Sequence, residues 1–516
     1  VARENLGKYP GLIAGAALLI GYLMTAAVSL TAGVEAIASA FPQIWPYKVE
    51  VSLLILAIVT VLNLRGLRES SETMAIPVYL FLCTYLPMLT YGVIRLLLSG
   101  PQAVNIVELH PTQPISLFLV LHTFSAGCTA LTGIEAISNG VPAFQVPEAR
   151  NASRTLAVMT VLMAILFTGS IGLTQFLGVT AGYQETILSA LAKKILGNNI
   201  LYLGIQFSTL LILAVAANTS FAGFPRLTAI LAQDGFLPRQ LTNIGDRLVF
   251  SNGIVLLSTA TGILIIIFQG NSHFLIPLFA VGVFLAFTFS QAGMVVHWWK
   301  EKQHGWQFKS LLNGLGALVT GITMVIIGVS KFLEGAWITV LLIPILIFIF
   351  LSIHTHYQDV RKELSLRGLP PSIKPKPTPR IIVPISGVHR GVIEAITFAL
   401  TISKDVTAVY IELQPGNVDS LRTMWHRWWP DVPLVILPSP YRSIIQPLLD
   451  FLDETDRLHN DGQLAVVVLP EFVPAKWWQG LLHNQTTWRI KNALLYRRRN
   501  LGYQRVIIDV PYHLTK

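Results

Sequence analysis

The chain has 516 residues, of which 53% are hydrophobic and 12% charged, with a net charge of +10 and a mean hydropathy of +0.59. Soluble domains carry roughly 25% charged residues, so this composition excludes an ordinary globular protein and reads as a polytopic membrane protein. The positive surplus sits in short connections between apolar runs and lacks the aromatic-interleaved basic face that RNA binders use, which excludes nucleic acid as its purpose and leaves a topology signal.

The first residue is Val1, and VARENLGKYPG lacks the charged-then-apolar order of a signal peptide, so further sequence is expected upstream. Apolar runs long enough to span a bilayer follow at 11–40, 49–65, 73–98, 115–142, 155–178, 200–228, 249–268, 273–297, 310–331 and 334–354. Ten transmembrane helices are predicted. Arg65 and Arg68, Arg150 and Arg154, Arg226, Arg239 and Arg247, and Lys300, Lys302 and Lys309 all fall on one side, with Arg3 and Lys8. The opposite loops carry almost no basic residue except Lys193 and Lys194. By the positive-inside rule the start of the chain and everything after His356 are cytoplasmic, in a multi-pass protein of the cell membrane. Cys83 and Cys128 both lie inside apolar runs, offer neither a disulfide framework nor a CxxC metal site, and read as small apolar fillers.

The transmembrane domain is assigned to 1–356 and a linker to 357–379, which holds all but the last residue of the Pro-rich basic segment RGLPPSIKPKPTPR, 367–380. From 380 to 516 the pattern changes to β-branched runs at 380–386, 406–413, 433–439, 464–472 and 505–512, alternating with amphipathic helices. That alternation predicts a cytoplasmic α/β domain of about 135 residues, doubly wound. No Walker-type loop, HExxH motif or nucleophile elbow occurs, so a regulatory or structural role is expected and no enzyme activity.

Two features of the membrane part carry chemistry. The first is CTALTGIEAISNGVP, Cys128 to Pro142, which places Glu135 in an apolar run between Gly133 and the Asn139, Gly140 and Pro142 that follow. A carboxylate at mid-bilayer costs roughly 3 kcal/mol unless it faces a partner or a wet cavity. Glycines and a proline beside it suit a discontinuous helix, whose unwound backbone frees carbonyl oxygens for an ion; glycines that merely allow close packing, or a Glu paired with a base, are the bland account. The second is Tyr22, Thr25 and Ser29, which share one helical face. Hydroxyls in line suit a hard, oxygen-preferring cation, although hydroxyls in spans also bond back to their own helix. Asn218, Thr219 and Ser220 in the sixth span carry the same ambiguity.

An internal repeat joins these spans: AAVSLTAG (26–33) and AANTSFAG (216–223) match at five of eight positions, counting Ser29 and Thr219 as alike. The two spans run in opposite directions, as in an inverted-topology transporter repeat of five helices. Chance likeness between small-residue helix faces is the competing account.

The order of spans, the GVPAFQVPEARNASRTL that leaves the broken helix, and FPRLTAILAQDGFLPRQL after the sixth span resemble the amino acid-polyamine-organocation superfamily, and within it the KUP-like potassium-uptake branch. The resemblance covers essentially the whole chain and is most specific around Thr132-Gly133-Ile134-Glu135. It implies an inverted-repeat fold with discontinuous helices whose first two helices are missing here, so that the spans correspond to the family's third helix onward and the fourth is its broken sixth. It further implies proton-coupled potassium import by a homodimer, with potassium held by Tyr22, Thr25 and Ser29 of one helix and Thr132 and Glu135 of another. The cytoplasmic domain resembles the branch's universal-stress-protein-like domain, which implies cyclic di-AMP as a regulator; no cofactor is implied. Phe279 stands where relatives tend to carry a tyrosine, and is expected to remove an oxygen ligand or gate.

An amino acid permease on the same scaffold is the rival; Glu135, a fixed anion that would repel a substrate carboxylate, favours potassium. A sensor whose spans only anchor the cytoplasmic domain is a different class, for which ten spans and a buried acid are excessive. Open α/β sheets bind ligands beyond strand C-terminal ends, which points to PISGVHRG, Pro384 to Gly391, where Arg390 is as readily a solvated charge as a phosphate ligand. Glu35 is expected at the outer interface, HWWKEK at the inner one as an anchor, and the sequon at Asn151 lies in a cytoplasmic loop and is discounted.

Overall fold

The computed structural model describes residues 1–66, 71–99, 115–128, 133, 137, 140–141, 144–182, 184–245, 249–365, 378–413, 418–439, 443–459, 464–474, 486–501 and 505–514. The chain divides into two units, Val1–Ser365 and Leu366–Lys516.

The first unit is helical. A short helix α1 (Ala2–Leu6) precedes α2 (Lys8–Ala40), α3 (Lys48–Leu64), α4 (Ser71–Ser99), α5 (Leu117–Cys128), α6 (Glu148–Phe176), α7 (Ile187–Leu196), α8 (Ile200–Gln233), α9 (Ser251–Ile267), α10 (Ser272–Glu301), α11 (Trp306–Ser330) and α12 (Trp337–Glu363). Among the described residues eight of these are long and apolar enough to cross a membrane, and α5 and α9 are shorter apolar helices. At 1.5 Å per residue the 33 residues of α2 run about 50 Å, well beyond a ~30 Å hydrocarbon core.

Two of the helices form the centre. In α2 and α10 61% of the apolar window is buried, against 6% in α6, whose apolar surface is therefore left for lipid. A helix apolar all round belongs in an interior, and α2 carries small residues (Ala16, Ala17, Ala26, Ala27) that let neighbours approach closely. Gly282 of α10 shows how closely: a Cβ there would lie 3.2 Å from the carbonyl oxygen of Ala17. One core cluster joins Ile20, Met24 and Leu30 of α2 with Phe221 of α8, Leu257 of α9 and Phe279 of α10.

Helix α7 was not foreseen in the sequence. Thr186 caps it, accepting from the Ser189 N–H, and Gly197 ends it at φ +79°. Lys193 and Lys194, the exceptions to the charge pattern, sit in its last turn, where cations offset the partial negative charge of the helix end.

The second unit is the doubly wound domain the alternation predicted. Strands β1 (Ile381–Ile385), β2 (Val406–Glu412), β3 (Leu434–Pro438), β4 (Val466–Val473) and β5 (Ile507–His513) form a sheet ordered β3-β2-β1-β4-β5, every pair parallel. Alternation divides its side chains. Ile381, Val383 and Ile385 face Val392, Ala395, Ile396 and Ala399 of α13 (Arg390–Ile402) and Trp425 of α14 (Val418–Trp428). Ile382 faces the other way, toward Leu448, Leu449 and Leu452 of α15 (Ile445–His459) and Ile490 and Leu494 of α16 (Thr486–Leu501). A pair at 11% and 12% exposure, Arg505 to Asp456, ties the start of β5 to α15. Both of its partners also bond Ala465: Asp456 accepts from the N–H at 2.9 Å and Arg505 donates to the carbonyl oxygen at 2.8 Å.

Candidate functional site

Helices α2 and α8, the two that carry the repeat, pack against each other antiparallel. A Cβ on Gly15 would be 3.6 Å from Leu231, one on Gly33 would be 3.1 Å from Leu210, and one on Gly223 would be 2.5 Å from the ring of Tyr22. The glycine that closes each repeat thus receives the opposite helix, Gly33 taking Leu210 and Leu213, and Gly223 taking Tyr22. In the same register Thr25 lies level with Ser220.

The three hydroxyls of α2 are differently placed. Tyr22 is half-buried against Gly223. Thr25, also half-buried, donates its proton to the Gly21 carbonyl oxygen at 2.8 Å, which leaves its oxygen lone pairs as acceptors. Ser29 is 7% exposed. Back-bonding, the bland account of such hydroxyls, therefore holds for the proton of Thr25 and leaves its oxygen able to meet a cation.

The polar run of α8 separates into three roles. Asn218 accepts from Asn63 of α3 at 2.6 Å, and Asn63 also donates to the Val59 carbonyl. Thr219 is exposed and donates to the Ala216 carbonyl oxygen at 2.6 Å. Ser220 is fully buried, and its hydroxyl has no hydrogen-bond partner among the described residues; the carbonyl four residues back, the usual acceptor for a helical serine, is the one Thr219 already uses. Thr261 of α9 is likewise buried and unpartnered among them, while Thr60 of α3 and Ser258 of α9 bond to each other. Reading the sequence missed Asn63. An amide inside an apolar run is the signal that would have found it.

Of the broken helix, Thr132 and Glu135 lie outside the described residues, as do Asn139 and Pro142. Helix α5 is described as far as Cys128, and α6 starts at Glu148. Gly133 has φ +101°, a conformation incompatible with an α-helix and available to glycine at no steric penalty. His122, the only base in the predicted span, is engaged elsewhere: its Nε2 is 2.8 Å from Glu334 Oε1, on the turn between α11 and α12.

Glu35 is 5% exposed and accepts from the Ser272 backbone N–H at 3.1 Å and the Ser272 hydroxyl at 2.5 Å. Ser272 opens α10, so a carboxylate from α2 caps the N-terminus of a different helix. Phe279 is 7% exposed in the apolar core. A cavity of about 1230 Å³ lies between α4, α6 and α7, lined by Phe81, Met159, Leu166 and Ile187 with Ser170 and Gln175 among them; its mainly apolar wall is unsuited to a bare cation.

In the second unit, PISGVHRG leaves the C-terminal end of central strand β1. His389 precedes α13, its Nε2 is 3.2 Å from Ser386 Oγ, and its ring lies 4.8 Å from that of Phe472. Burial pushes its pKa below the ordinary value of 6.5. Arg390 is exposed.

Comparison with known proteins agrees with this division. Residues 1–352 match the family described as amino acid permease, and residues 377–512 match the one described as KimA potassium transporter C-terminal domain. The chain is 41% identical over 519 aligned positions to the potassium transporter KimA of Bacillus subtilis (strain 168), an alignment covering 100% of this chain and 84% of the relative.

Proposed function

Because the chain belongs to the amino acid permease family, in the branch of the potassium transporter KimA, we propose that it is a secondary active transporter that imports potassium ions and is coupled to protons. The observation that carries this is the 41% identity running the length of the chain, through both units.

The chemistry of the α2 face supports it. Potassium is a hard cation that takes oxygen ligands, and Tyr22, Thr25 and Ser29 offer three on one helical face. In this reading Thr132 and Glu135 supply the remainder from the interrupted helix. An uncompensated carboxylate at mid-bilayer costs about 3 kcal/mol, so Glu135 carries a proton when the site is empty and pairs with potassium when it is filled. For the two to travel together, the proton it gives up passes to another group of the protein and is released inward with the ion. Rocking of one helix bundle against the other then turns the site inward.

The remaining assignments rest on sequence. The basic connections place the start of the chain and the α/β domain in the cytoplasm. The domain is proposed to bind cyclic di-AMP beyond the strand C-terminal ends, at Pro384 to Gly391, and the transporter to work as a homodimer.

Rubidium uptake into proteoliposomes, measured against radiolabelled amino acids with an imposed proton gradient, tests the function. Saturable rubidium uptake that rises with the inward proton gradient is expected, with no amino acid uptake. Glu135→Gln is expected to abolish it; retained uptake with normal pH dependence would make the acid structural.

A further inference from the structure

The face of α8 opposite Tyr22 determines where a candidate ligand atom sits. A Cβ built on Gly223 would lie 2.5 Å from both Cε1 and Cζ of Tyr22 and 2.8 Å from its hydroxyl oxygen. Those distances are well inside van der Waals contact, which begins near 3.5 Å for carbon pairs. No substituent fits at 223 while Tyr22 keeps its place. What would have to move is the outer end of a side chain, whose ring turns about two dihedral angles, rather than either helix backbone.

The other glycines of this interface meet their partners differently. Gly15 would meet a leucine at 3.6 Å and Gly33 another at 3.1 Å. Gly33 and Gly223 close the two copies of the repeat, so the pseudo-symmetric positions differ in what they accommodate: an apolar side chain at one, a phenol at the other. An apolar contact at this crossing would have sufficed for packing, as it does at Gly33. Tyr22 lies about one helical turn before Thr25 along α2, on the same helical face.

We propose that Gly223 is a positioning residue: by lacking a side chain it lets the Tyr22 phenol lie against α8 with its hydroxyl in line with Thr25 and Ser29, and so sets the affinity and size preference of the cation site. The inference rests on the transport reading above and assigns a determinant within the same site. Gly223 touches no ion and acts only through Tyr22.

The test is rubidium and potassium uptake by the full chain in proteoliposomes, with thermal unfolding of each variant in detergent. Gly223→Ala is expected to raise KM about tenfold, the scale of one weakened ligand contact, to alter the ratio of rubidium to potassium uptake, and to leave thermal unfolding near that of the wild type. Tyr22→Phe retains the ring and removes the oxygen, so Gly223→Ala added to it is expected to raise KM no further. Gly33→Ala, at the symmetric position, is expected to leave KM unchanged. Additive effects of Gly223→Ala and Tyr22→Phe would overturn the proposal, as would equal KM increases for the two glycine variants or a Gly223→Ala protein that fails to fold while Gly33→Ala folds. A wild type without saturable uptake would instead overturn the transport reading, and this assignment with it.

Discussion

Glu35→Ala is expected to destabilise the membrane unit by about 3 kcal/mol. The carboxylate accepts two bonds from Ser272, at 3.1 Å from the N–H and 2.5 Å from the hydroxyl, and both residues are 5% exposed. Removing it strands two buried donors, each worth roughly 1–3 kcal/mol when left unsatisfied, and deletes a negative charge from a helix N-terminus. Taking the lower half of that range for each donor gives the figure. Glu35→Gln retains an acceptor for the N–H, and the hydroxyl rotates to accept from the new amide, so about 1 kcal/mol is lost with the charge. Ser272→Ala removes only the hydroxyl, again about 1 kcal/mol. Thermal unfolding in detergent is expected to rank the variants wild type, Gln and Ser272→Ala together, then Glu35→Ala, and the Glu35→Ala, Ser272→Ala double variant is expected to lose less than the sum of the singles. A Glu35→Ala protein that melts within a degree of wild type would refute the reasoning. So would a Gln variant as unstable as the Ala variant, since charge rather than donor satisfaction would then dominate.

Other expectations concern the α/β unit, read by tryptophan fluorescence in the full chain. Asp456→Ala leaves Arg505 charged at 11% exposure and removes the acceptor for the Ala465 N–H, so a loss of about 3–5 kcal/mol is expected; an unchanged unfolding midpoint would contradict it. His389, held below its ordinary pKa of 6.5 by burial, binds its proton more readily when unfolded. The folded state is therefore expected to lose stability as pH falls from about 6.5 toward that lowered value, and His389→Gln to flatten this dependence; an identical pH profile in the variant would remove His389 as its source.

Where a physical signal is local, the sequence disclosed it. The strand runs at 406–413 and 464–472 sit within two residues of observed strands Val406–Glu412 and Val466–Val473, because β-branched blocks buried on both faces read as continuous apolar runs. Gly133, one of the glycines beside the predicted break, adopts φ +101°, and glycine is the residue for such backbone. Helix α7 escaped notice because ten residues with Lys193 and Lys194 at their end lack the length of a span. The partner of Glu35 was not legible because depth along α2 says nothing of what packs there, and only Ser272, 237 positions away, shows the carboxylate to be a cap. The same limit applies to Thr219 and Ser220. Adjacent and alike in sequence, they end as one exposed hydroxyl bonded to its own helix and one buried hydroxyl without a partner among the described residues.

The sequence by itself determined that this protein crosses a membrane many times, that an α/β unit follows, and that an acid and a line of hydroxyls lie inside its apolar runs. These follow from hydropathy, period and residue chemistry, which act within one turn or one strand. The tertiary structure decided which atoms meet: Tyr22 against Gly223, Asn63 on Asn218, Glu35 on Ser272, His122 on Glu334. The reason is geometric. A helix presents every side chain to some direction, and which of them becomes a ligand, a cap or a packing surface is fixed only when another helix arrives at a given register and distance.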